Sequence, residues 1–189
     1  MRKFTFFMLS TLLLTSNVFD LRASVPATGI SKFWIIRPTL NNRPDKTLRD
    51  DTTFLNKPAP DFKLYDLNGK LYDTEFLKGK IVVLNFWFVA CKPCINEMPV
   101  LNAIKKKHDP EKIVFLALSL DNKSTINTFL KEHEFDYNIL PDAAPVAEKY
   151  GLFAYPASVV IDSRGIVRFM QVGGPNIDKN LSNAIDAVL

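Results

Sequence analysis

The segment from Ile81 to Trp87 runs Ile-Val-Val-Leu-Asn-Phe-Trp, apolar everywhere except Asn85 and rich in β-branched side chains. Successive side chains of a strand point to opposite faces, so a strand that is apolar throughout must be covered on both. This run is therefore expected to be the central strand of a sheet that carries helices on each side. Cys91-Lys92-Pro93-Cys94 comes next, and then Ile95, Met98, Leu101 and Ile104 recur every third residue. That stripe predicts an amphipathic helix ending near His108-Asp109-Pro110. Two cysteines thus sit where a buried strand hands over to a helix.

Upstream, Phe62, Leu64 and Leu71 flank Asn68-Gly69, a dipeptide suited to the positive φ angles of a tight turn, which predicts a β-hairpin. Downstream, Ile113 to Leu120 reads as a second buried strand, Ser124 as the start of a helix running to about Glu132, and Tyr137 to Leu140 as a short edge strand. A short helix from Val146 to Tyr150 stops at Gly151. Ala157 to Ile161 and Ile166 to Val172 form two strands joined by the tight turn Asp162-Ser163-Arg164-Gly165. A last helix, Ile177 to Leu189, gathers Ile177, Leu181, Ala184, Ile185 and Val188 on one face. The order strand, helix, strand, helix, strand, strand, helix implies an α/β fold with a mixed central β-sheet flanked by helices, and the hairpin as an N-terminal extension.

Residues 58–189 are assigned to this domain. Residues 24–57 contain Pro26, Pro38, Pro44 and the charged stretch Asp45 to Asp51, and are expected to be a linker with one short strand around Phe33 to Ile36. Ahead of them, Met1-Arg2-Lys3 and the apolar Phe4 to Leu14 have the pattern of a secretory signal peptide. The apolar stretch falls short of the roughly 20 residues of a spanning helix. Residues 1–23 are therefore expected to direct export, either cut after Ala23 or kept as an N-terminal anchor.

Half of the formal charge of +4 lies in that first segment, where Arg2, Lys3 and Arg22 outnumber Asp20. Too little remains on the body for a nucleic-acid binder. Lys105-Lys106-Lys107 is a basic run, but it falls at a predicted helix end, where cations favour the dipole and face water. A 47% hydrophobic and 12% aromatic content excludes a disordered polymer.

The chain has only two cysteines, both in one motif. Disulfides used as staples would join distant segments, because closing a long loop restricts the unfolded chain most. That leaves redox chemistry or metal binding. A structural zinc site needs four ligands, and beyond the cysteines only His108 and His133 are available, each isolated, so no metal site is expected.

For thiol chemistry the pattern is apt. A cysteine attacks as thiolate, and a free thiol has a pKa of about 8.5. Unpaired N–H groups and the positive end of the dipole at a helix N-terminus favour the anion at Cys91, the candidate nucleophile. Cys94 returns to the same side one turn later and can resolve a mixed disulfide. Pro93 suits the first turn, where its missing N–H costs nothing, and Lys92 adds an exposed positive charge of modest effect. Cys94 must shed a proton in a partly apolar setting, and Glu97 lies three residues on, along the same face. A partly buried Glu97 would be its acid/base; an exposed glutamate complementing the dipole is the other reading, and spacing alone does not separate them.

Val83-Leu84-Asn85-Phe86-Trp87, Cys91-Lys92-Pro93-Cys94 and Glu97-Met98-Pro99 together resemble the thioredoxin-like envelope proteins of the TlpA/ResA type. The resemblance extends through Ala59-Pro60-Asp61-Phe62 upstream and Leu140-Pro141-Asp142, Tyr150-Gly151, Tyr155-Pro156 and Ile161-Asp162-Ser163-Arg164-Gly165 downstream, covering most of residues 58–189. It implies a thioredoxin-like fold and a cis peptide bond at Tyr155-Pro156 beside the cysteines. Tyr155, Pro156 and Ala90 would form the substrate-binding surface. Thioredoxin proper has a buried Asp two residues before the Trp, where this chain has Asn85; the resemblance to the envelope branch places the acid at Glu97 instead. One departure is Ala90, where a Trp is usual before the first cysteine.

The function so implied is that of an exported thiol:disulfide oxidoreductase, in the periplasm or cell envelope or secreted. It would reduce disulfides of exported proteins, apocytochromes awaiting haem among them, by Cys91/Cys94 exchange with no bound cofactor. Its partners would be protein substrates bearing disulfides or thiols and a membrane electron donor, and a monomer is expected. Net oxidation by the same residues is a close rival, because direction depends on potential and partner. A peroxide reductase would need a cysteine preceded by Pro and Thr in a characteristic loop, which Trp87-Phe88-Val89-Ala90 does not supply. A non-catalytic module that binds unfolded chains or senses redox state would use the apolar surface around Ala90 and Tyr155.

Overall fold

The computed structural model describes residues 54–189. The expected signal segment and the strand around Phe33 to Ile36 lie outside the described residues. In chain order the elements begin with β1 (Lys63–Tyr65), β2 (Leu71–Asp73), β3 (Ile81–Trp87), α1 (Lys92–Lys105), β4 (Ile113–Ser119) and α2 (Lys123–Phe129). They continue with β5 (Asn138–Leu140), α3 (Ala144–Lys149), β6 (Ala157–Ile161), β7 (Val167–Val172) and α4 (Ile177–Asp186).

All seven residues of β3 are buried, as a strand apolar on both faces requires. It pairs in parallel with β4, Ile81 opposite Ile113 and Trp87 opposite Ser119, and antiparallel with β6. β5 and β7 extend the two sides, giving the order β5-β4-β3-β6-β7, a mixed sheet with β3 in the middle. Ile81, Val83 and Trp87 face one apolar cluster with Cys94, Met98, Leu101 and Ile104 of α1, Ile126 of α2, and Leu181 and Ile185 of α4. Val82, Leu84 and Phe86 face a second cluster with Val146 and Ala147 of α3, Tyr150, and Phe62 and Tyr72 from the hairpin region. Each large apolar side chain buried this way contributes about 1.5–3 kcal/mol, so β3 anchors both layers at once.

The hairpin β1–β2 forms, with Lys63 opposite Asp73 and Tyr65 opposite Leu71. Its turn is wider than Asn68-Gly69 suggests. Gly69 has a positive φ of 84°, whereas Asn68 does not. The Asp66 carboxylate organises the loop instead, its Oδ1 accepting the N–H groups of Asn68 and Lys70, both at 2.8 Å. The start of α2 also differs from expectation: Asn122, not Ser124, is the N-cap, its side chain accepting the Thr125 N–H at 2.9 Å. Both residue types cap well, and the choice falls to the one whose backbone is extended at the turn.

Residues 54–57, at the end of the stretch expected to be linker, pair with the edge of β7. Asn56 N–H donates to the Val167 carbonyl at 2.8 Å and Val167 N–H to the Lys57 carbonyl at 3.0 Å. The Phe54 ring lies 5.9 Å from that of Tyr150. At the β6–β7 turn the Asp162 carboxylate is a hub. Its Oδ1 accepts the N–H groups of Arg164 and Ile166, and its Oδ2 the side chains of Arg164 and Arg168. Burial alone would raise this carboxyl, but those donors win and hold it at about 2. The basic run at the end of α1 is only partly solvated: Lys105 Nζ donates to the Asp136 carbonyl, and Lys106 pairs with the Asp136 carboxylate at 3.1 Å.

Candidate active site

α1 begins where β3 has just left the sheet. Cys91 is its N-cap, with extended backbone, and its carbonyl accepts the Ile95 N–H at 3.1 Å. Cys91 Sγ accepts the Cys94 N–H at 3.3 Å, so the sulfur occupies the place that a capping oxygen takes elsewhere. Pro93 lies in the first turn, where no intrahelical N–H is needed. Cys91 and Cys94 are joined in a disulfide. Both are buried, at 5% and 2% exposure, within the cluster shared by α1 and the sheet.

Glu97 follows on the same side of α1 and is half-buried. Burial raises its carboxyl from 4.5 to about 7, and no hydrogen bond or ion pair among the described residues offsets that. A carboxyl in that range can both accept and return a proton near neutral pH. The side chain is thus only partly open to water.

The Tyr155-Pro156 bond is cis, and Pro156 is buried at the entry to β6. Tyr155 is half-buried, its phenol raised by burial, and it meets the ring of Phe88 edge-on at a centroid distance of 5.7 Å. Phe88 lies three residues before Cys91, so this contact brings the Tyr155-Pro156 turn to the cysteine loop. Ala90 is exposed beside Cys91, and Phe153 and Ala154 are exposed just before Tyr155. Beneath the loop, Trp87 is fully buried between Phe129 and Phe135, at 5.3 and 5.7 Å. Asn85 is buried on the same face of β3, and its Nδ2 donates to Ser158 Oγ at 3.2 Å across the β3–β6 pair.

The sequence pattern of the AhpC/TSA family matches residues 55–170, well over half of the chain. The chain belongs to the AhpC/TSA family. Among known AhpC/TSA-like relatives, it is 32% identical over 121 residues to the thiol-disulfide oxidoreductase ResA of Bacillus thuringiensis subsp. konkukian, covering 63% of this chain and 70% of that protein. It is 30% identical over 119 residues to the thioredoxin-like protein YneN of Bacillus subtilis, covering 61% and 69%. A crystal structure of a thiol:disulfide interchange protein DsbE, described as putative, from Chlorobium tepidum superposes with a TM-score of 0.65 at 26% identity, over 71% of this chain and 96% of that one. This AhpC/TSA member therefore has the thioredoxin fold and is a thiol:disulfide oxidoreductase with a Cys-x-x-Cys pair.

The site includes residues that the sequence alone did not single out. Phe88 supplies the ring against which Tyr155 packs, and Asp121 accepts the Val89 N–H at 2.7 Å. Phe88 was legible as an apolar residue next to the motif. Asp121 lies 32 residues from Val89, and only the parallel pairing of β3 with β4 brings its segment alongside. His108 and His133 pack against Phe115 and Phe129, and among the described residues no three His, Cys, Asp or Glu side chains are grouped to hold a metal ion.

Proposed function

We propose that this protein reduces disulfides in exported proteins, with Cys91 as nucleophile, Cys94 as resolving thiol and Glu97 as acid/base. The Cys91 thiolate attacks one sulfur of the substrate disulfide, that S–S bond breaks, and the other substrate sulfur leaves as a thiolate and takes a proton. Cys94 then passes its proton to Glu97 and attacks Cys91 Sγ, which releases the second substrate sulfur to be protonated. Two electrons have moved to the substrate, and the pair is left oxidised, as the structure holds it. The observation that carries this reading is the Cys91–Cys94 pair at the N-terminus of α1, with the half-buried Glu97 on the same helix.

Tyr155, the cis Pro156 and Ala90 would receive the substrate backbone, a role supported by the packing of Tyr155 on Phe88. The charged and then apolar start of the chain supports export to the cell envelope or beyond, with the N-terminal segment either cut or kept as an anchor. There a membrane dithiol donor would return the electrons to a monomeric enzyme. Apocytochromes awaiting haem attachment fit as substrates, since their thiols must be reduced.

Two experiments test the proposal. With a protein disulfide substrate, Cys94→Ser should accumulate a mixed disulfide on Cys91 and Cys91→Ser should not; the reverse pattern would overturn the roles. Equilibration in glutathione buffers should place the pair near or below about −270 mV, whereas a value close to about −120 mV would make the protein a disulfide donor.

A further inference from the structure

The Trp87 carbonyl accepts the Leu120 N–H at 3.1 Å, a backbone hydrogen bond between the end of β3 and the residue after β4. Phe88, Val89 and Ala90 then run free of the sheet. At the middle of these three, Val89 donates its N–H to Asp121 Oδ2 at 2.7 Å, a charge-assisted bond. Cys91 next turns its own N–H back to the Phe88 carbonyl at 3.0 Å and caps α1. The loop that delivers Cys91 to the helix is thus pinned from outside by one carboxylate.

That carboxylate is itself held. Ser119 Oγ donates to the same Oδ2 at 3.3 Å and accepts the Asp121 N–H at 3.1 Å. The Asp121 carbonyl accepts the Asp142 N–H at 2.9 Å, and the carbonyl of the fully buried Ser119 accepts the Ala143 N–H at 2.8 Å. Asp142 sits at φ 57°, a left-handed conformation that a non-glycine residue keeps where its surroundings impose it.

We propose that Asp121 is a positioning residue for the redox centre, holding the 88–90 loop so that Cys91 Sγ stays at the N-terminus of α1. The stabilisation that a helix terminus gives an anion fades within one turn, so a loop that lets Cys91 drift loses it. Acting through space, the Asp121 charge would do the opposite and disfavour a thiolate. Positioning and bare charge therefore predict opposite signs. The inference rests on Cys91 being the attacking thiol.

The test uses the reduced full-length chain. Iodoacetamide labelling of Cys91 at pH 7 is followed by peptide mass, and the reduction potential of the pair is measured in glutathione. Asp121→Ala removes the anchor and should slow labelling about three- to tenfold, the range a helix terminus can supply, while the potential becomes more negative. Asp121→Asn keeps an oxygen for the Val89 N–H and should restore the wild-type rate or exceed it. Equal acceleration in both variants, or an unchanged rate and potential with only a lower unfolding temperature, overturns the proposal. If Asp121→Ala does not fold, Ser119→Ala, which removes the hydroxyl bound to the same oxygen, should slow labelling in the same direction; an unchanged rate in that variant overturns it equally. Wild-type labelling at Cys94 in place of Cys91 would overturn the nucleophile assignment and this inference together, whereas labelling at Cys91 with insensitive variants overturns the inference alone.

Discussion

Replacing Glu97 by Gln should make the protein more stable in alkali while making it a poorer catalyst. Burial raises the Glu97 carboxyl from 4.5 to about 7. Between those two pH values the folded protein keeps a proton that the unfolded chain releases, so stability falls as pH rises across the window and is level outside it. For a fully enclosed carboxyl the loss above pH 7 would be ~3 kcal/mol. Glu97 is half open to water, and screening reduces this to ~1–2 kcal/mol. Gln does not ionise, so the variant should match the wild type below pH 4.5 and exceed it by that amount above pH 7. Urea unfolding of the oxidised full chain at several pH values from 4 to about 8.5 reads the difference directly, and the other titrating groups cancel between the two proteins. The same variant should turn over on the order of 10²-fold more slowly at pH 7, because the resolving thiol has lost its base. A stability difference that does not vary with pH would refute the burial argument, and undiminished turnover would refute the role in exchange.

Asp162→Asn should show the opposite pH signature. Its carboxyl is held at about 2, so its contribution is present above pH 3.8 and is lost as pH falls toward 2. The variant should be less stable by about 1–2 kcal/mol at neutral pH, with the deficit closing in acid, as thermal unfolding over that range would record. Asn85→Leu should cost about 1–3 kcal/mol, because it leaves the buried Ser158 hydroxyl without the amide it meets at 3.2 Å; wild-type stability in chemical denaturation would refute this. Tyr155→Ala should raise the KM for a protein disulfide substrate while leaving the potential of the cysteine pair unchanged, and a shifted potential would mean that Tyr155 acts on the cysteines and not on the substrate.

The elements the sequence specified best are those whose burial is uniform. β3 and β6 span Ile81–Trp87 and Ala157–Ile161, as their apolar, β-branched patterns predict, because a strand covered on both faces needs no partner to reveal its pattern. Caps and turns were less legible, since several polar residues compete for one role: Asn122 and Ser124 are both good N-caps, and the Asp66 side chain organises the turn that contains Asn68-Gly69. At the site, the cysteine pair was readable from spacing alone. The burial of Glu97 was not, because its exposure depends on what the rest of the fold lays over that side of α1. Asp121 was invisible for a related reason: its partner is a backbone N–H, which every residue but proline possesses.

The placement of the two apolar clusters has a consequence for how this protein can be altered. Cys91 and Cys94 belong to the layer built by α1, α2 and α4, whereas α3, Tyr150, Phe62 and Tyr72 belong to the layer across the sheet. Chemistry and ballast are on opposite sides of a wall one strand thick. Away from Asp142 and Ala143, whose N–H groups bond the Asp121 and Ser119 carbonyls, the rear layer is therefore the natural place to accept insertions, fusions or tethers, since the seven buried residues of β3 stand between it and the cysteines. Two lineages could share an identical redox centre and yet carry unrelated cargo on the back, and an engineer wishing to couple this enzyme to a chosen electron donor would begin there.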